Sequence, residues 1–217
     1  SRIQELQMVT QKGENTCVVG IRGNFDDAQT GVKRIFADAA FQAELAAKGF
    51  QLSSANSINI GRLLPQVVYY VYAYTRLLKD GKIRDGEEIV IDVPTGNFGN
   101  ILAAYYAKKM GLPVHMLLCA SNENRVLFDF FRTGVYDKNR PFILTDSPSM
   151  DILVSSNLER LIYELSGDAL INRTYMHLLL EKGRYEITPT MQGRLTGFYG
   201  NYASMEETRE CIGRLYQ

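Results

Sequence analysis

Net charge is what this chain most conspicuously lacks: 24 lysines and arginines are matched by 24 aspartates and glutamates, and no basic block disturbs the balance. Nucleic acid and anionic membrane surfaces are recognised through clustered positive charge, so neither is expected as a partner. Long hydrophobic runs are absent too. No stretch reaches the roughly 18 apolar residues of a membrane span, although 46% of the 217 residues are apolar. The three cysteines, Cys17, Cys119 and Cys211, stand far apart with no metal-ligand spacing. Cys17 and Cys119 lie in apolar, strand-like runs and are expected to be buried, reduced thiols packed as small hydrophobes. The two histidines, His115 and His177, have no carboxylate or nucleophile in local register, so packing or surface roles are expected of them. No signal-peptide pattern, internal repeat or low-complexity segment is present. The expectation is a cytoplasmic protein that binds no metal, no nucleic acid and no membrane.

What is present is concentrated in one segment. Pro94, Thr95, Gly96, Asn97, Phe98, Gly99 and Asn100 separate an apolar run, residues 89–93, from an amphipathic stretch, residues 101–111, which reads as strand, tight glycine loop and helix start. Unpaired N–H groups at a helix N-terminus, the positive end of the helix dipole and two glycines that admit close approach together make a cradle for an anion. Glycines at such a turn also serve the turn alone, and that reading stays open. Spacing narrows the ligand. A P-loop needs Lys-Ser/Thr after its last glycine, and a dinucleotide fingerprint needs a third glycine, whereas Gly96 and Gly99 stand alone. A compact monophosphate group fits better.

A second polar cluster, residues 53–62, precedes a long apolar helix over 63–78. Asn56, Ser57 and Asn59 are all able to cap it. Arg62 opposes the helix dipole at that end, a penalty that a bound anion would reverse, and its planar fork of N–H groups suits a phosphate. A surface charge beside an ordinary cap is the alternative.

Strands and helices alternate along the chain, which predicts an α/β fold with a mostly parallel sheet flanked by helices. Strands are expected at 17–21, 50–53, 88–93, 114–120 and 142–145. Helices are expected at 27–48 with Asp26 as cap, 60–79, 99–110, 124–133 and 150–165 with Ser149 as cap. The helix containing Tyr69, Tyr70, Tyr72 and Tyr74 is apolar around most of its circumference and is expected to be central and buried. Residues 186–205, broken by Pro189, Gly193, Gly197 and Gly200, read as a loop-rich excursion that covers the site, followed by a helix behind the capping box of Ser204 and Glu207.

The stretches SSANSINIGRLLPQVVYYVYAY (53–74) and VPTGNFGNILAAYYAKKMGLPV (93–114), with GNFDDAQTGVKRIF (23–36) ahead of them, resemble threonine synthase, a pyridoxal-phosphate enzyme of the two-domain tryptophan synthase β-like fold. The resemblance runs from residue 5 to about 165 and weakens after 172. It implies that Thr95, Gly96, Asn97, Phe98, Gly99 and Asn100 hold the phosphate of pyridoxal 5'-phosphate. It further implies that Asn56, Ser57 and Arg62 hold the phosphate of the substrate O-phosphohomoserine, with Asn97 between the two. The implied reaction eliminates phosphate and adds water to give threonine. The implied domains are 1–55 as part of the small domain, 56–185 as the core of the large cofactor-binding domain, and 186–217 as the excursion with its terminal helix.

The same resemblance places the cofactor-bearing lysine before Ser1 and the hydroxyl that meets the pyridine nitrogen after Gln217. The expectation is therefore an internal fragment, inactive by itself, with no catalytic residue of its own. A serine/threonine dehydratase or cysteine synthase of the same fold would keep the glycine loop but has no use for a second phosphate site. A non-catalytic module holding a phosphate ligand is the other alternative. Oligomeric state is not expressed in the sequence.

Overall fold

The computed structural model describes residues 2–11, 13–23, 25–56 and 59–216, in which two compact units, Ser1–Leu52 and Ser53–Gln217, are distinguished. The first contains α1 (Arg2–Val9), α2 (Phe25–Ala37) and α3 (Ala39–Ala47). One helix was expected over 27–48. It starts at Phe25, ahead of the expected cap Asp26, and breaks at Asp38, which adopts an extended backbone and accepts from the Phe41 amide at 3.0 Å as the cap of α3. The strands expected at 17–21 and 50–53 are not formed. Extended, apolar sequence becomes a strand only with a neighbour to complete its hydrogen-bond ladder, and among the described residues these runs pair with none. Cys17, Val18, Val19 and Ile21 are exposed as a result, so burial of Cys17 is corrected as well.

The second unit is α/β. It runs through α4 (Ile60–Leu63), a 3-10 turn (Leu64–Gln66), α5 (Val67–Lys79), β1 (Ile89–Pro94), α6 (Gly99–Lys109), β2 (Val114–Ser121), α7 (Val126–Thr133), β3 (Val135–Asp137), a second 3-10 turn (Pro148–Met150), α8 (Leu158–Ser166), α9 (Ala169–Lys182), β4 (Arg184–Glu186), α10 (Pro189–Gly193), β5 (Phe198–Tyr202) and α11 (Met205–Tyr216). β1, β2 and β5 form a parallel sheet in that order, with Val93 beside Cys119 and Leu117 beside Phe198. β3 and β4 pair antiparallel, placing Tyr136 against Tyr185. The β1–α6–β2 crossover is the centre of the core. Ile101, Leu102, Ala103 and Ala104 of α6 are fully buried together with Phe130, Leu161 and Ile162 of α7 and α8. The two alanines let α6 lie close on its neighbours.

Three expected elements differ in instructive ways. The helix over 60–79 is interrupted at Pro65, which has no N–H to donate and opens the 3-10 turn. Its apolar circumference is not buried: Val67 and Tyr74 are, but Val68, Tyr69 and Tyr72 are 62–69% exposed, because α5 packs on α6 along one side only. Residues 142–145 join no strand. Ile143 instead exchanges two hydrogen bonds with the side chain of Asn124, at 3.0 and 2.7 Å, an amide standing in for a strand neighbour. The helix expected from residue 150 begins only at Leu158, since Asp151, 5% exposed, is engaged in tertiary bonds from Asn122 Nδ2, Thr145 Oγ1 and the Thr145 amide at 2.7, 2.7 and 2.9 Å. Within the stretch read as loop-rich, β5 forms as the third strand of the sheet. The capping box before α11 is present: Ser204 N donates to Glu207 at 2.8 Å and Glu207 N to Ser204 Oγ at 3.1 Å.

Thiol chemistry separates the cysteines. Cys119 is fully buried in β2 and burial pushes its thiol up to about 12, whereas Cys17 and Cys211 are exposed. Since the thiolate is the reacting form, a thiol reagent at about pH 8 should label Cys17 and Cys211 of the native chain quickly and Cys119 only after denaturation. Equally fast labelling of all three would contradict this packing.

Candidate functional site

The expected loop is formed by the end of β1. Thr95 stays in the ladder, its amide donating to the Ala120 carbonyl at 2.8 Å, while its hydroxyl donates back to the Val93 carbonyl at 2.6 Å. The turn into α6 is made at Phe98, which caps the helix in a left-handed conformation, φ 65° and ψ −2°. This region costs a non-glycine residue on the order of 1 kcal/mol, offset here by burial of a ring that is 1% exposed and lies 6.0 and 6.1 Å from Phe131 and Phe198. A phenylalanine cap accepts nothing, and among the described residues no side chain caps α6. The first-turn amides of an eleven-residue helix, together with the positive end of its dipole, are therefore completed by water or by a ligand.

Gly96, Asn97 and Asn100 are each held from outside the loop. The Gly96 carbonyl accepts from Ser155 Oγ at 2.8 Å, and the Asn97 carbonyl from the amide and Nδ2 of Asn157 at 3.1 and 2.8 Å. The Asn97 side chain accepts from Ser156 Oγ at 3.4 Å. Asn100 receives the Tyr70 hydroxyl on its side chain and, at 3.1 Å, on its carbonyl. Burial pushes Tyr70 up to about 12, so it remains a donor at neutral pH. Close approach is needed at Gly96, where a Cβ would stand 2.7 Å from the Ser149 carbonyl oxygen. At Gly99 the nearest atom, Asn157 Nδ2, would be 3.4 Å away. The Ser149–Asn157 supports were not foreseen. Their only sequence signal is an accumulation of serine and asparagine, which read as a helix cap.

In the second cluster Asn59 is the cap of α4, accepting from the Gly61 amide at 2.8 Å and donating to the Ser54 carbonyl at 2.6 Å. Asn56 accepts from Ser54 Oγ at 2.7 Å on its side chain and from the Asn59 amide at 3.2 Å on its carbonyl. Ser57 lies outside the described residues. Arg62 donates from Nη1 to the Ala55 carbonyl and lines an open cleft of about 640 Å³ with Ser54, Asn59, Gly61 and Gln66. The four-residue α4 has too short a dipole to weigh on Arg62 either way. The cleft is open to a ligand, but Asn56 is not among the residues that line it. Leu63 is buried in the core, and α4 packs on α6, so both clusters stand on neighbouring elements of one unit. Neither histidine joins them: His115 pairs with Glu88 and His177 with Glu181 on the surface, and Glu181, one helical turn from His177, corrects the expectation that no carboxylate stands in local register. Among the described residues no group of His, Cys, Asp and Glu is placed to hold a metal ion, and no helix is long and apolar enough to cross a membrane.

An uncapped, glycine-flanked helix start after the first strand of a parallel sheet is a construction shared by many phosphate-binding α/β proteins. Comparison with known proteins narrows that class. No family model matches the chain. The solved pyridoxal-phosphate-bound threonine synthase of Brucella melitensis is similar with a TM-score of 0.81 at 40% identity, over 96% of this chain and 43% of that one. The yeast threonine synthase structure gives 0.82 at 37% identity, over 100% and 43%. Threonine synthase-like 1 of Macaca fascicularis is 44% identical over 220 residues, 100% of this chain and 30% of its own length. In sequence and fold the chain is similar over nearly its whole length to threonine synthases, and it spans less than half the length of each of these relatives.

Proposed function

We propose that this chain is the phosphate-binding core of a pyridoxal-phosphate-dependent threonine synthase, a cytoplasmic lyase that converts O-phosphohomoserine and water to threonine and phosphate. The observation that carries the reading is the start of α6, an eleven-residue helix that no side chain caps. Thr95 to Asn100 would hold the cofactor phosphate through main-chain amides. Asn56, Ser57 and Arg62 would hold the substrate phosphate, with Asn97 between the two. When bound, the cofactor supplies the electron sink for removing protons near the amino-bearing carbon. The chain's own residues bind and orient, and no acid or base is assigned among them. Residues 1–55 belong to the small domain in this reading.

The cradle is tested at Gly99 in the full-length protein. With Gly99→Val, a side chain meets Asn157 and crowds the first turn of α6, so affinity for pyridoxal phosphate should fall by about tenfold or more. A glycine that served only the turn would lower the melting temperature and leave that affinity unchanged. Threonine and phosphate appearing in equal amounts from O-phosphohomoserine would establish the reaction, and no turnover by the cofactor-loaded full-length protein would refute it.

A further inference from the structure

Asn157 is the most completely enclosed polar side chain near the loop, with 0% exposure. Its backbone N–H and Nδ2 both donate to one acceptor, the Asn97 carbonyl, at 3.1 and 2.8 Å. Its Oδ1 accepts from the guanidinium of Arg160. Arginine donates and never accepts, so this contact determines which end of the Asn157 amide faces Asn97. Ser155 does the same one peptide earlier, its hydroxyl donating to the Gly96 carbonyl at 2.8 Å.

In a trans peptide the C=O and the following N–H point in opposite directions from one rigid plane. Drawing the Asn97 carbonyl towards Asn157 therefore aims the Phe98 N–H the other way, and drawing the Gly96 carbonyl towards Ser155 aims the Asn97 N–H. We infer that Asn157, oriented by Arg160, is a positioning residue for phosphate: it touches no ligand but turns the loop peptide so that its amide faces the anion. This rests on the reading of the loop as the cofactor-phosphate site. Burial of the donor pair is what gives it leverage, because a peptide flip would leave the Asn157 groups unpaired inside the core.

The test uses the full-length protein and two ligands that differ only in the phosphate, pyridoxal phosphate and pyridoxal. Asn157→Asp keeps the volume but sets an oxygen against the Asn97 carbonyl. Its affinity for pyridoxal phosphate should fall by about 10- to 100-fold, while that for pyridoxal stays within about twofold. A merely structural asparagine would lower the melting temperature and weaken both ligands alike, or neither, and either result overturns the inference. Should Asn157→Asp fail to fold, Ser155→Ala and Arg160→Gln read the same ratio with smaller effects of the same sign, and an unchanged ratio in both overturns it. Gly99→Val separates the two levels. If it leaves the ratio unchanged, the phosphate site itself is wrong. If it lowers the ratio and the Asn157 and Ser155 variants do not, the site stands and the positioning role falls.

Discussion

Gly96→Ala in the full-length protein is expected to lower stability by roughly 1–3 kcal/mol and to weaken pyridoxal phosphate binding by about tenfold or more. The added Cβ would stand 2.7 Å from the Ser149 carbonyl oxygen, closer than real carbon–oxygen contacts allow. The opposing atom is backbone, braced through Asp151 by Asn122 and Thr145, and cannot swing away as a side-chain tip would. Loop or brace must therefore shift by several tenths of an ångström, comparable to the roughly 0.5 Å tolerance of a preorganised site. Gly193→Ala, at the end of α10 with nothing within 4 Å of its Cβ position, is the control and should change neither quantity. Melting curves and cofactor titration decide. A destabilised Gly96→Ala that binds pyridoxal phosphate normally would show that the close approach serves folding alone.

For Arg62→Ala the expected result is a KM for O-phosphohomoserine raised by one to two orders of magnitude, with pyridoxal phosphate still bound. A charge-assisted, forked contact to phosphate is worth roughly 1.5–3 kcal/mol. Arg62→Lys should recover part of it, since the ammonium keeps the charge but loses the planar fork. Arg62 Nη1 also donates to the Ala55 carbonyl, so a purely structural role is a concrete alternative: it would shift the melting temperature and leave KM within about twofold of wild type. Steady-state kinetics beside thermal melting separate the two.

The segment around β1 and α6 was readable because its signals are local. An apolar run, a glycine pair and an amphipathic helix follow one another within 23 positions, and the structure forms the strand at Ile89–Pro94 and the helix at Gly99–Lys109. The capping box of Ser204 and Glu207 is local in the same way. The misread elements depend on partners distant in sequence. Residues 17–21 have strand composition but no ladder among the described residues, whereas the unpromising Phe198–Tyr202, containing Gly200, becomes a strand because β2 lies alongside it. Tyr69 and Tyr72 have the hydrophobicity of core residues, yet nothing in the described unit covers their side of α5.

By itself the sequence determined the strand–loop–helix unit, excluded the P-loop and dinucleotide fingerprints, and showed the likeness to threonine synthases, because each is legible in short, contiguous stretches. Only the tertiary structure decided that Gly96 is the more constrained glycine, that Asn59 caps α4, and that Ser155 and Asn157 hold the loop. Those bonds join residues 59 and 60 positions apart, and the direction of a loop amide depends on what grips the carbonyl behind it, which folding alone brings into reach.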